Sequence, residues 1–120
     1  MIKKTFIIAA SLPLLLLASR AQAHAHLDHA SPAVGSTVAA PKSVTLWFTE
    51  SLEPAFSTIE VRDAKGAAMQ AGKATVDPGN HAELHVPLKS LPPGTYKVIW
   101  RVLSVDTHRT QGDFTFTVGH

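Results

Sequence analysis

The longest regular pattern in the chain is Tyr96-Lys97-Val98-Ile99-Trp100-Arg101-Val102-Leu103, in which Tyr96, Val98, Trp100 and Val102 fall on one side. A period of two is the pattern of a strand with one face in a core, because successive side chains of extended chain point to opposite faces. The same alternation recurs in Val44, Leu46 and Phe48, in Ile59 and Val61, in Leu84, Val86 and Leu88, and in Phe114, Phe116 and Val118. Turn-forming clusters separate these runs: Asp63-Ala64-Lys65-Gly66, Asp77-Pro78-Gly79-Asn80 and Leu91-Pro92-Pro93-Gly94. No stretch carries the periodicity of an amphipathic helix. Short strands punctuated by Gly and Pro, in about 100 residues, predict an all-β fold, a two-sheet antiparallel sandwich or Greek-key barrel.

Some segments are less patterned. Residues 26–41 contain Ser31-Pro32, Gly35 and Pro41, which predict an extended lead-in followed by a turn. Residues 67–76 are compatible with an edge strand, a short helix or a loop. Trp47 falls on the outward side of its strand, so that face is not simply solvated.

The front of the chain reads as an export signal. Lys3 and Lys4 precede an apolar run over residues 6–18, interrupted only by Ser11 and Pro13, and Ala21-Gln22-Ala23 supplies the small residues a signal peptidase reads. The run is shorter than the roughly 20 residues that span a bilayer, which favours cleavage over a retained anchor. Cutting after Ala23 removes Lys3, Lys4 and Arg20 and no acid, so residues 24–120 carry 8 bases against 9 acids and a net charge of −1 in place of +2. The apparent basicity belongs to the signal, and a nucleic-acid or anionic-membrane partner loses its main support. Residues 24–120 are expected to form one small domain. The chain has no cysteine, which excludes disulfides, thiolate zinc and iron–sulfur sites and leaves nitrogen, oxygen and methionine sulfur as metal ligands.

Three features concentrate such ligands. Cleavage after Ala23 makes His24 the amino terminus, where its α-amine and ring nitrogen can chelate one ion together, a nitrogen pair suited to the tetragonal preference of Cu(II). The alternative is a pair of solvated histidines, His24 and His26, at a mobile terminus. Asp106-Thr107-His108 places two ligand-type side chains two residues apart, so in extended chain they project to one side; its alternative is a polar loop in which Asp106 caps a turn. Glu50 is positioned either to orient a histidine ring or the amine, or as an ordinary surface acid. His26, third from the new terminus, offers a rival square-planar site built from the amine, two backbone amides and its ring. His29, His81, His85 and His120 are expected to be solvated.

Together these motifs resemble the CopC family of periplasmic copper-binding proteins, including its YobA-type members. The resemblance runs from His24 to about Val118. It is carried by His24-Ala25-His26-Leu27 followed by Ser31-Pro32-Ala33-Val34-Gly35, by Leu46-Trp47-Phe48-Thr49-Glu50, by residues 91–96, and by Ser104-Val105-Asp106-Thr107-His108 leading into Gly112 and Phe114-Thr115-Phe116-Thr117-Val118. It implies a cupredoxin-like fold of about seven strands, with one Cu(II) per chain at one end. It implies His24, through amine and ring, with Asp106 and His108 as ligands, and Glu50 as a weak axial ligand or orienting group. It further implies a monomeric periplasmic carrier or buffer for copper homeostasis and resistance, without enzymatic activity, working alongside a CopD-type inner-membrane protein. Some family members add a Cu(I) site in a Met-rich loop. Here Met69 is the one methionine after the signal, so a Cu(II)-only protein is expected, with Met69 in the core or at its edge.

Two other functions fit parts of the pattern. A terminal histidine with a second histidine is also the copper brace of polysaccharide monooxygenases, but a directly coordinating Asp106 and a small domain with little room for a substrate platform argue against such an oxidase. A metal-free immunoglobulin-like assembly module would use the same fold without copper.

Overall fold

The computed structural model describes residues 25–120; the expected export signal, its expected cleavage point and His24 lie outside the described residues. Eight strands form two four-stranded sheets. The first sheet has the order β1 (Leu27–Ser31), β3 (Ser43–Phe48), β6 (Asn80–Pro87), β5 (Thr75–Asp77), and the second has β2 (Thr37–Val38), β8 (Arg109–Val118), β7 (Gly94–Leu103), β4 (Thr58–Arg62). All neighbours are antiparallel except β2, which runs parallel to the end of β8. The chain starts in the first sheet with β1, crosses to the second for β2, returns for β3, crosses for β4, returns for β5 and β6, and crosses again for β7 and β8. This is the expected all-β sandwich.

The alternating residues meet between the sheets. Val44, Leu46, Leu84 and Val86 of the first sheet and Val61, Val98, Val102 and Phe116 of the second are all buried. Burying each such side chain contributes about 1.5–3 kcal/mol of transfer free energy before conformational entropy is counted. Trp100 closes this core toward β3 and β8. Its ring meets Phe48 edge-on, with centroids 5.1 Å apart and an interplanar angle of 73°, and it covers the backbone of its cross-strand partner Gly112. A Cβ at Gly112 would stand 2.5 Å from Trp100 Cζ2, so only glycine admits the indole here. Tyr96 stacks on Phe116 and donates its hydroxyl to the Pro92 carbonyl, which ties β7 to the Leu91-Pro92-Pro93-Gly94 turn.

Three details extend the sequence reading. The lead-in is a paired strand: β1 runs against β3, with Ala30 opposite Leu46 and a register shift between Leu27 and His29. The count rises to eight because the two-residue β2 also pairs, a segment too short to show a period. Residues 67–76 form isolated bridges, Arg62 with Ala68 and Gln70 with Leu88, before β5 begins at Thr75. Met69 packs half-buried at the core margin, in keeping with a core or edge role.

Candidate metal centre

One end of the sandwich gathers the start of β1, the segment after β3 and the β7–β8 hairpin. The hairpin fixes Asp106 and His108. Strands β7 and β8 pair over ten residues from Gly94 with Val118 to Leu103 with Arg109, and the connection is closed by Thr107 N donating to Ser104 O (2.9 Å) and Ser104 N donating to His108 O (3.0 Å). Three residues thus lie between Ser104 and His108. A three-residue hairpin loop needs its last residue in the left-handed region, and Thr107 has φ = 73°. Glycine or asparagine suits that position better than a β-branched residue. Here the Thr107 hydroxyl donates to its neighbour's carbonyl, Asp106 O, at 2.5 Å.

The tight loop brings the Asp106 and His108 side chains together, with Oδ1 3.3 Å from Nδ1. Beneath them Ser104 is fully buried and donates its hydroxyl to Asp106 Oδ1. That hydrogen bond and the neighbouring His108 hold the Asp106 carboxyl below its usual range, outweighing the opposing effect of desolvation. Asp106 is therefore a carboxylate at any pH near neutrality, which a metal ligand must be.

The beginning of the described chain is anchored beside this loop. Ala25 is fully buried, and its carbonyl accepts a 2.7 Å hydrogen bond from the Thr110 hydroxyl. His26 is pinned on both sides: its N–H donates to Thr49 Oγ1 (2.9 Å), and its carbonyl accepts from Thr49 N (2.9 Å). Glu50, half-buried, follows Thr49 directly. Next along the chain, Ser51 O accepts from Val105 N (3.0 Å), Leu52 N donates to His81 O (2.9 Å), and Glu53 N donates to Leu103 O (2.8 Å). Glu50 thus sits at a corner whose flanking residues touch both the lead-in and the hairpin loop.

The sequence candidates therefore divide. Asp106 and His108 are in direct contact, and of the two residues bordering Glu50, Thr49 holds His26 and Ser51 holds Val105 of the hairpin loop. One of the two amides that the rival His26 site would deprotonate, that of His26 itself, is already committed to Thr49. Of the histidines read as solvated, His29, His81 and His120 are exposed, and His29 in addition lies flat on Trp47, with centroids 4.3 Å apart and rings within 7°. His85 is half-buried on β6.

The CopC domain family matches residues 27–119. The chain belongs to the CopC family. It is similar to Protein YobA of Escherichia coli (strain K12), 44% identical over 98 residues that cover 80% of this chain and 79% of that protein. The crystal structure of CopC from Methylosinus trichosporium OB3b superposes with a TM-score of 0.75 and 38% identity, covering 80% of this chain and 94% of that one. PcoC, described as a methionine-rich copper resistance protein from Escherichia coli, gives a TM-score of 0.71 at 35% identity, covering 80% and 99%. Unlike that last relative as its description has it, this CopC domain is poor in methionine: Met69 is the single one among the described residues.

Proposed function

We propose that this CopC-family chain is a periplasmic Cu(II) carrier or buffer serving copper homeostasis and resistance, without catalytic activity. It is exported and cleaved after Ala23, and binds one copper ion through the His24 amine and ring, Asp106 and His108. The observation that carries the reading is the Thr110–Ala25 hydrogen bond. Ala25 directly follows His24 in the chain, and Thr110 is two residues, about 6.6 Å of strand, from His108. Anchorage of Ala25 to the strand that begins beside His108 supports a terminal chelate that shares one ion with the Asp106–His108 pair.

Copper is the cargo, and the donor set governs how it is held. Two imidazoles, an amine and a carboxylate are harder and more anionic than thioethers, so they favour Cu(II) and resist reduction to Cu(I). Ser104 keeps Asp106 ionised and aimed, and Glu50 either approaches the ion axially or orients a ligand. Release on acidification follows from the amine, whose ordinary pKa is about 7.7–8.0 and which must lose a proton to bind. A CopD-type membrane protein is the partner proposed to exchange copper with this domain, which works as a monomer.

The rival site at His26 carries a cost that the proposed one does not. It requires the His26 amide to leave Thr49 Oγ1 and the lead-in to peel from β3. Copper titration of single variants separates the two: Asp106→Ala and His108→Ala are expected to lower Cu(II) affinity by roughly a hundredfold or more, at or above the upper end of what losing an outer group that only orients a ligand costs, with His26→Ala close to the parent. The reverse ranking would overturn the assignment.

A further inference from the structure

The outward face of the first sheet carries a cluster that this copper reading leaves unused. Asp77 at the end of β5 and Glu83 and His85 on β6 each bring one ligand atom to within 4.8 Å of the others, and all three are half-buried. Glu83 and His85 are two apart on one strand and so share its outer face, with Leu84 between them in the core. The β5–β6 hairpin folds Asp77 back toward them, through a register shift between Val76 and Asp77 of the kind that re-aims a side chain.

Each carboxylate is anchored by one oxygen. Trp47 Nε1 donates to Glu83 Oε1 (2.9 Å), and Gly79 N donates to Asp77 Oδ2 (2.9 Å). The second oxygen of each, and the ring of His85, make no hydrogen bond among the described residues, and no Lys or Arg there pairs with either acid. His29, its Nδ1 2.7 Å from Asp28 Oδ2, stacks on Trp47 and steadies the indole that holds Glu83. A carboxylate fixed through one oxygen with the other open is how outer groups orient metal ligands.

We propose that Asp77, Glu83 and His85 form a second, solvent-facing site for a divalent transition ion, Cu(II) or Zn(II). One imidazole nitrogen with two carboxylate oxygens is a three-ligand set that leaves positions for water. The imidazole disfavours Mg(II) and Ca(II), which take oxygen alone. Ligand atoms around a tetrahedral zinc with bonds of about 2.0–2.2 Å stand roughly 3.4 Å apart, so an ion draws these three together by side-chain rotation. The site shares no residue with the copper centre proposed above and stands or falls without it.

The test titrates the full chain carrying Asp106→Ala and His108→Ala with Zn(II), following the His85 ring by NMR, and with Cu(II), following tryptophan fluorescence. One equivalent of Zn(II) is expected to shift the His85 ring signals, with His85→Ala lowering Zn(II) affinity at least tenfold and Asp77→Asn and Glu83→Gln several-fold each. Cu(II) is expected to quench Trp47, and Trp47→Phe to lose that quenching while still binding the ion. Zn(II) affinity unchanged by His85→Ala would overturn the proposal. In the exported form with both centres intact, His85→Ala alone is expected to remove one of two Cu(II) equivalents. Loss of neither equivalent would contradict the second site, while loss of the other on His108→Ala reports separately on the first.

Discussion

The Thr110 hydroxyl donates a 2.7 Å hydrogen bond to the carbonyl oxygen of Ala25, joining the first described residue to the strand that begins just beyond His108. The contact spans 85 positions of sequence and converts two separate local motifs into one end of the sandwich. It holds Ala25 in place, so that for the proposed terminal chelate part of the ordering entropy is met in folding rather than in binding.

Thr110→Val keeps the shape and β-propensity of the side chain and removes the donor. A net hydrogen bond is worth about 1 kcal/mol, so Cu(II) affinity is expected to fall roughly fivefold, with the fold retained by circular dichroism. A competition titration against a chelator of known affinity measures it. Unchanged affinity would mean that the lead-in is held by its pairing with β3 alone.

Ser104 is expected to govern the protonation of Asp106. Its hydroxyl is the largest influence holding that carboxyl below the ordinary value, so Ser104→Ala should move the Asp106 titration, followed by carboxyl NMR, upward toward the usual carboxylate range. The linkage sign follows. A depressed folded-state pKa contributes stability that is present above the unfolded value, near 3.8, and disappears as pH falls through the folded one. The stability difference between the parent and Asp106→Asn should therefore shrink on acidification below about pH 4. A difference that grew with acid would contradict the geometry.

Gly112→Ala tests the packing behind the hairpin. The added Cβ would meet Trp100 Cζ2 at 2.5 Å and Cε2 at 2.9 Å, in the middle of a ladder where neither strand can step aside. Overpacking of this kind costs about 1–3 kcal/mol, and a domain near 100 residues loses roughly 4–8 °C of melting temperature per kcal/mol. Thermal unfolding by near-ultraviolet circular dichroism, which reports the Trp100 environment, is the measurement.

Much of the fold was legible because burial imposes a period of two. The predicted inward set of β7, Tyr96, Val98, Trp100 and Val102, is buried throughout, and the Asp63 turn closes as expected, with Asp63 Oδ1 accepting from Lys65 N and Ala67 N and Gly66 at φ = 85°. The strand status of Leu27–Ser31 was hidden, because an edge strand with a register shift and a mixed burial pattern has no clean alternation. Asp106 and His108 were visible as a local pair. Ser104 beneath them was not, since a buried serine looks like any loop serine until the hairpin closes over it. The cluster of Asp77, Glu83 and His85 escaped for a different reason: Glu83-Leu84-His85 shows the two-residue spacing, but only the hairpin reveals that a turn aspartate faces it. The outward placement of Trp47 was the one hint that this surface is not bare.

The proposed copper site requires the new amino terminus to be itself a ligand. The direct measurement is Cu(II) titration with electron paramagnetic resonance on protein beginning at His24, beside the same protein with one residue added ahead of it. The native terminus is expected to bind one equivalent of Cu(II) in a tetragonal, nitrogen-rich site, and that signal to be lost when the extension takes the α-amine out of chelating position. Identical spectra and affinities for the two proteins would contradict it.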